Sequence, residues 1–136
     1  MKVYIAGASA ELDLIEFYRD RVVEVGHTIS LDWAHEVRAH DGEGNPRDMP
    51  HYERNRIART DLVEGVEQAQ VLWLLVPEKP SIGCWVELGY ALGIECSVGR
   101  LTILISGDTS KSIFTAMADH LFPLHADALA WLKAKR

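Results

Sequence analysis

Three side chains carry most of the chemistry open to this sequence: Glu87, Asp61 and Tyr4. Glu87 lies in the stretch Pro80–Ala91, PSIGCWVELGYA, just beyond the dense apolar run Val71–Val76. Pro77 and Pro80 end that run, Ser81 suits a helix N-cap, and Gly83 lets backbone approach a ligand. Glu87 then falls near the first turn of a helix, where the macrodipole favours negative charge. An ionised carboxylate at the end of a buried strand is placed as a nucleophile would be. It is equally placed to complement the helix dipole and nothing more.

Asp61 belongs to a helix expected over His51–Gln68. With Ile57 at zero and about 100° per residue, Ile57, Ala58, Leu62, Gly65, Val66 and Ala69 form an apolar arc. Asp61 falls inside it, at about 40°. An inward carboxylate is costly unless a structural hydrogen bond or a reaction needs it. Arg54, two turns earlier on the same side, is a partner for Asp61 or a contact for a ligand anion. Tyr4 stands two residues before the end of the first expected strand, and Trp33 follows the second. Two carboxylates, a tyrosine and an aromatic ring suit cleavage at an acetal-like carbon. One carboxylate attacks, another group supplies a proton, and the transition state resembles an oxocarbenium ion. Trp33 offers either a stacking platform for a planar base or packing.

These residues meet only if the intervening elements bring them together. Lys2–Ala6 reads as a strand, and Gly7–Ala10 turns it into a helix that Gly26 ends. His27–Leu31 reads as a second strand, and residues 35–50 as a long polar loop of the kind that forms lids. After the Asp61 helix, Val71–Val76 is a strand of a sheet covered on both faces. The Glu87 helix closes near Gly93–Cys96, and Leu101–Ile105 forms the next strand. A short helix over Ser112–Met117, a brief strand over His120–Pro123 and an amphipathic helix over Ala126–Lys133 complete the chain. This alternation predicts one α/β domain spanning residues 1–136. Its fold is doubly wound and flavodoxin-like, a mostly parallel five-stranded sheet with helices on both faces. Ligands of such sheets bind beyond the carboxyl ends of the strands. That rule collects Gly7–Ala10, Asp32-Trp33, Ser81–Glu87 and Ser106–Asp108 at one edge.

The chain has 136 residues and a net charge of −6, and no basic stripe suited to a nucleic-acid polymer. It contains no membrane-length apolar stretch, and Met1-Lys2 leads straight into a strand. Cys84 and Cys96 share one expected helix, so they do not pair with each other; two free thiols suit a reducing cytoplasm. Gly7-Ala8-Ser9 lacks both the dinucleotide fingerprint and the phosphate P-loop. His35, His40, His51, Asp41 and Asp48 match no common metal spacing, so no metal and no cofactor is expected.

Tyr4-Ile5-Ala6-Gly7, the inward Asp61, Pro80-Ser81-Ile82-Gly83 and Glu87-Leu88-Gly89-Tyr90-Ala91 resemble the nucleoside 2-deoxyribosyltransferase superfamily. That family includes the transferases and the nucleoside 5′-monophosphate N-glycosidases. The resemblance implies that Glu87 attacks C1′ of the sugar and forms a glycosyl-enzyme intermediate. Tyr4 would orient Glu87, Asp61 would help protonate the departing base, Gly7 and Ser9 would line the sugar or phosphate side, and Trp33 would lie near the base. Ser81 stands where the transferases carry an aspartate, and resembles the phosphate-binding serine of the monophosphate N-glycosidases. Thr115 matches another phosphate-binding hydroxyl, which in that branch reaches in from a partner subunit. Ala10 departs from the pattern, because those enzymes carry a basic residue there. Ala130–Arg136 lacks the C-terminal asparagine of the transferases.

The resemblance thus implies hydrolysis of the N-glycosidic bond of a nucleoside or its 5′-monophosphate by a homodimer or larger assembly. Base exchange between deoxynucleosides is the alternative within the family. A catalytically silent nucleotide sensor is the non-enzymatic alternative, and a hydrolase of dinucleotide cofactors a third.

Overall fold

The computed structural model describes residues 1–39 and 48–135. Its strands are β1 (Lys2–Ala6), β2 (Thr28–Ile29), β3 (Val71–Leu75), β4 (Thr102–Ser106) and β5 (His120–Phe122). They form a single sheet in the order β2-β1-β3-β4-β5, and every pairing is parallel. This is the flavodoxin-like order, with its switch point between β1 and β3. The apolar run predicted the central strand well, since all five residues of β3 are buried.

The helices are α1 (Leu12–Glu24), α2 (Trp33–Ala39), α3 (His51–Arg59), α4 (Gly83–Val98) and α5 (His125–Ala134). Side chains alternate across a strand, and on β1 this sorts the sequence into two cores. Val3 and Ile5 pack with Ile15 and Val22 of α1 and with Ala128 and Leu132 of α5. Tyr4 and Ala6 face the other way, into a cluster with Val66 and with Cys84, Leu88 and Ala91 of α4. Tyr4 and Glu87 therefore share a face because position 4 has the opposite parity to positions 3 and 5.

Two elements differ from the expected pattern. The polar stretch 35–50 is helical up to Ala39, and residues 40–47, which carry His40 and Asp41, lie outside the described residues. Asp32 starts the helix: its Oδ1 accepts the His35 N–H at 3.1 Å, as an N-cap does. Trp33 then anchors it, donating its indole N–H to the Ile5 carbonyl at 2.7 Å. The second difference is the Asp61 helix. It is α-helical only to Arg59, then widens into a π-helical segment, Thr60–Val66. Thr60 Oγ1 donates back to the Arg56 carbonyl at 2.9 Å where the widening begins. The Glu67 N–H reaches the Leu62 carbonyl, five residues back, at 2.9 Å.

The remaining bounds fall within a residue or two of expectation. Both cysteines lie on α4 as free thiols, Cys84 buried and Cys96 exposed. Among the described residues no helix is long and apolar enough to cross a membrane.

Candidate active site

Three elements converge below the carboxyl edge of the sheet: β1 with Tyr4, the π-helical segment with Asp61, and α4 with Glu87. Tyr4 is fully buried, whereas Asp61 and Glu87 are half-buried. The glycine at 83 lies against the nucleophile candidate, since a Cβ built there would stand 3.9 Å from Glu87 Oε1. Tyr90 of α4 donates its hydroxyl to Glu67 Oε2 at 3.1 Å, which holds α4 against the end of the π-helical segment.

The polar atoms at the centre are short of partners. Tyr4 Oη and Glu87 Oε2 are both shut off from solvent and complete no hydrogen bond of ordinary geometry within the described residues. They are nevertheless close enough to interact, because the Tyr4 hydroxyl draws the Glu87 pKa down. Buried polar atoms are nearly always satisfied, so two orphans on adjacent side chains mark a site rather than a core.

The electrostatics differ from the sequence expectation. Glu87 is pushed up to about 8, first by burial and further by the charge of Asp61, against the opposing pull of Tyr4. Asp61 is raised to about 6 by burial. Burial also carries the Tyr4 hydroxyl well above its ordinary value, and the charges of Glu87 and Asp61 add to this. The helix dipole does not keep Glu87 ionised. The reason is local: α4 begins at Gly83, which puts Glu87 beyond the first turn, where the dipole has faded. With values near 6 and 8 the two carboxyl groups together hold one proton across the neutral range, and that proton belongs to the pair.

The other predicted residues divide into those near this centre and those used elsewhere. Ser81 is not the N-cap. Ile82 precedes the helix, no side chain caps it, and the Ser81 hydroxyl lies beside the Cys84 thiol. Cys84 in turn feels the charge of Glu87, so Ser81 stays close to the centre. Gly7 is packed against α1, where a Cβ would come within 2.3 Å of Ile15 Cδ1. Ser9 lines a separate cleft of about 420 Å³ with Lys79 and Arg38, and none of Tyr4, Asp61 or Glu87 lines it. Trp33 has its indole N–H committed to β1 and packs against both apolar clusters.

Thr115 is the clearest departure. It is buried in the 3₁₀ turn Ile113–Met117, and its hydroxyl donates to the Thr109 and Ser112 carbonyls at 2.7 and 2.8 Å. A hydroxyl has one proton, and here it is shared between two carbonyls of its own loop, away from Tyr4, Asp61 and Glu87. Arg54 is exposed on α3, and burial alone accounts for the raised pKa of Asp61.

One residue of the site escaped the sequence reading. Gly65, counted only as part of an apolar arc, sits directly on the Tyr4 ring: a Cβ there would lie 2.4 Å from Cε2 and 2.9 Å from Cδ2. The available signal was a glycine inside a helical segment, which costs about 1 kcal/mol against alanine and so asks for a reason.

No protein-family model matches the chain. No curated protein matches it either. Among solved structures, the chain is similar to the CMP N-glycosidase BcmB of Clostridium botulinum, with a TM-score of 0.55 and 12% identity over 100% of both chains. The two chains share one fold.

Proposed function

We propose that this protein cleaves the N-glycosidic bond of a nucleoside 5′-monophosphate or a nucleoside through a glycosyl intermediate on Glu87. The observation that carries the reading is the pair of orphaned buried atoms, Tyr4 Oη and Glu87 Oε2, with Asp61 acting on both. The fold likeness to an enzyme acting on CMP, and the family resemblance of the Tyr4, Asp61 and Glu87 stretches, point the same way.

In this mechanism the reactive form carries the shared proton on Asp61 and leaves Glu87 ionised. Positive charge developing at C1′ favours that arrangement, because an oxocarbenium-like centre stabilises the facing carboxylate. A Glu87 oxygen bonds to C1′ as the C1′–N bond breaks, and its electron pair leaves with the base. Asp61 gives its proton to that base. Water then attacks C1′ and gives a proton to the Asp61 carboxylate, the ester bond to Glu87 breaks with its electron pair returning to the carboxylate, and the released sugar carries the new hydroxyl. Tyr4 supports the carboxylate state of Glu87 by hydrogen bonding. The Ser81 hydroxyl, with the uncapped amides at the start of α4, supplies donors for a 5′-phosphate.

The test is incubation with a panel of nucleosides and 5′-monophosphates, with and without a free acceptor base, following base release by chromatography. Release from monophosphates without acceptor supports the hydrolase. New nucleosides formed only with acceptor would replace it by base exchange. Binding without turnover, unaltered in Glu87→Gln, would leave a sensor.

A further inference from the structure

The contact between Gly65 and Tyr4 is unusual in kind. Tyr4 is fully buried on β1, and its ring is held from one side by backbone with no side chain between them. Any Cβ at position 65 would meet Cε2, Cδ2 and Cζ at 2.4, 2.9 and 3.2 Å, so the ring would have to move. The Tyr4 backbone cannot follow, because β1 pairs with β2 on one side and β3 on the other, with Tyr4 in register with Leu72, so the displacement falls on the ring and its hydroxyl. The glycine is itself fastened. Its carbonyl accepts the Ser30 hydroxyl at 2.7 Å, from the residue that follows β2.

We propose that Gly65 is a positioning residue, whose bare Cα seats the Tyr4 ring and so sets the Tyr4 hydroxyl beside Glu87, with Ser30 clamping the seat to the sheet. The π-helical segment is what brings this about. Its five-residue hydrogen-bond step stacks residues four to five apart, so Asp61 shares the sheet-facing side with buried Gly65 and Val66. One segment thereby places a carboxylate and, one turn later, the surface against which the tyrosine rests. The catalytic consequence rests on the reaction proposed above; the seating of Tyr4 does not.

The deciding experiment is a carboxyl-carbon NMR titration of Glu87, which needs neither substrate nor turnover. It compares the unaltered protein with Tyr4→Phe, Gly65→Ala and the double variant, and uses Gly93→Ala as the control. A Cβ at position 93 meets nothing within 4 Å, so the same chemical change there leaves the Glu87 midpoint unmoved. The Tyr4 hydroxyl lowers the Glu87 pKa, and losing it raises the midpoint by about 0.5–1 unit. Gly65→Ala moves the midpoint in the same direction as Tyr4→Phe, and the double variant moves it no further than Tyr4→Phe alone. A folded Gly65→Ala protein with an unmoved midpoint would overturn the proposal. So would a double variant that shifted by the sum of the two. If Gly65→Ala does not fold, Ser30→Ala takes its place, since it frees the seat without adding bulk. A smaller upward shift is then expected, and none would count against the clamp. Absence of turnover with the expected shifts would count against the reaction and leave the seat standing.

Discussion

At the scale of single residues, the proposed reaction depends on where one proton sits. With Asp61 near 6 and Glu87 near 8, the rate of glycosidic cleavage should rise with pH through about 6 and fall through about 8. A rate measured from pH 5 to 9 that is flat or single-limbed would exclude the shared-proton arrangement. Glu87→Gln keeps the shape of the side chain and removes the attacking oxygen. It should lower turnover by about 10³-fold or more, with the circular dichroism spectrum unchanged. Asp61→Asn removes the charge that holds the Glu87 proton on, so the Glu87 midpoint should drop below about 8. Turnover of substrates with poor leaving groups should fall more than that of good ones. Equal losses would leave Asp61 an electrostatic role and no proton to give. The sequence singled out these side chains by type and placement. It did not show that Glu87 is the more protonated of the two, because that depends on burial contributed by β1 and the π-helical segment.

At the scale of elements, α4 matters most because it carries Glu87 while depending on its ends. Its amino end has no capping side chain, and its carboxyl end is closed by Gly99, in the left-handed conformation at φ 60°. The Gly99 N–H returns to the Glu95 carbonyl at 2.9 Å. Two glycine substitutions should therefore have opposite signs. Gly99→Ala should cost about 1 kcal/mol, because a Cβ disfavours that backbone conformation. Gly93→Ala, in the helix interior with open space around it, should stabilise by about 0.5–1 kcal/mol. Urea unfolding of the two variants checks both, and equal signs would contradict the assigned cap. The strands and the start of this helix were legible from the apolar run Val71–Val76 and the following prolines; its end was less so, because Gly93 lies inside the helix, which runs on to Val98 and is closed by Gly99. Helix α2 was less so, because its signal is one capping aspartate, Asp32, beside a tryptophan that reads equally well as a binding platform. The widening at Thr60 had no legible signal at all: threonine and glycine are common in many contexts, and neither marks a π-helical path.

At the scale of the whole molecule, the buried carboxyl groups tie stability to pH. Asp61 and Glu87 titrate near 3.8 and 4.5 when exposed, and near 6 and 8 in the fold. Between those limits the two groups bind more protons in the native than in the unfolded state, so their contribution to stability is fully present on the acid side and is lost as pH rises towards 8. Glu87→Gln removes the larger of the two contributions. The stability gap between variant and parent should therefore shift in favour of the variant by on the order of 3 kcal/mol from pH 5 to pH 8. The comparison is made as a difference because His125, lowered by burial, pulls the other way below about pH 6.5. A gap constant with pH would mean that Glu87 is ionised in the free protein.

The sequence by itself determined the alternation of strands and helices, the wholly apolar central strand, and the carboxyl edge where chemistry gathers. These follow from local composition and periodicity, which each segment carries within itself. It also supplied Tyr4, Asp61 and Glu87 as candidates, since their residue types and placements stand out against apolar surroundings. Only the tertiary structure decided which hydroxyls are free. It directed the Thr115 proton to its own loop and the Trp33 indole to β1, and it left Tyr4 and Glu87 unpartnered beside each other. It also raised Glu87 and Asp61 by burial and set the Tyr4 ring against Gly65. Burial, hydrogen-bond partners and close backbone approach are properties of pairs of distant segments, and they exist only once the sheet has brought those segments together.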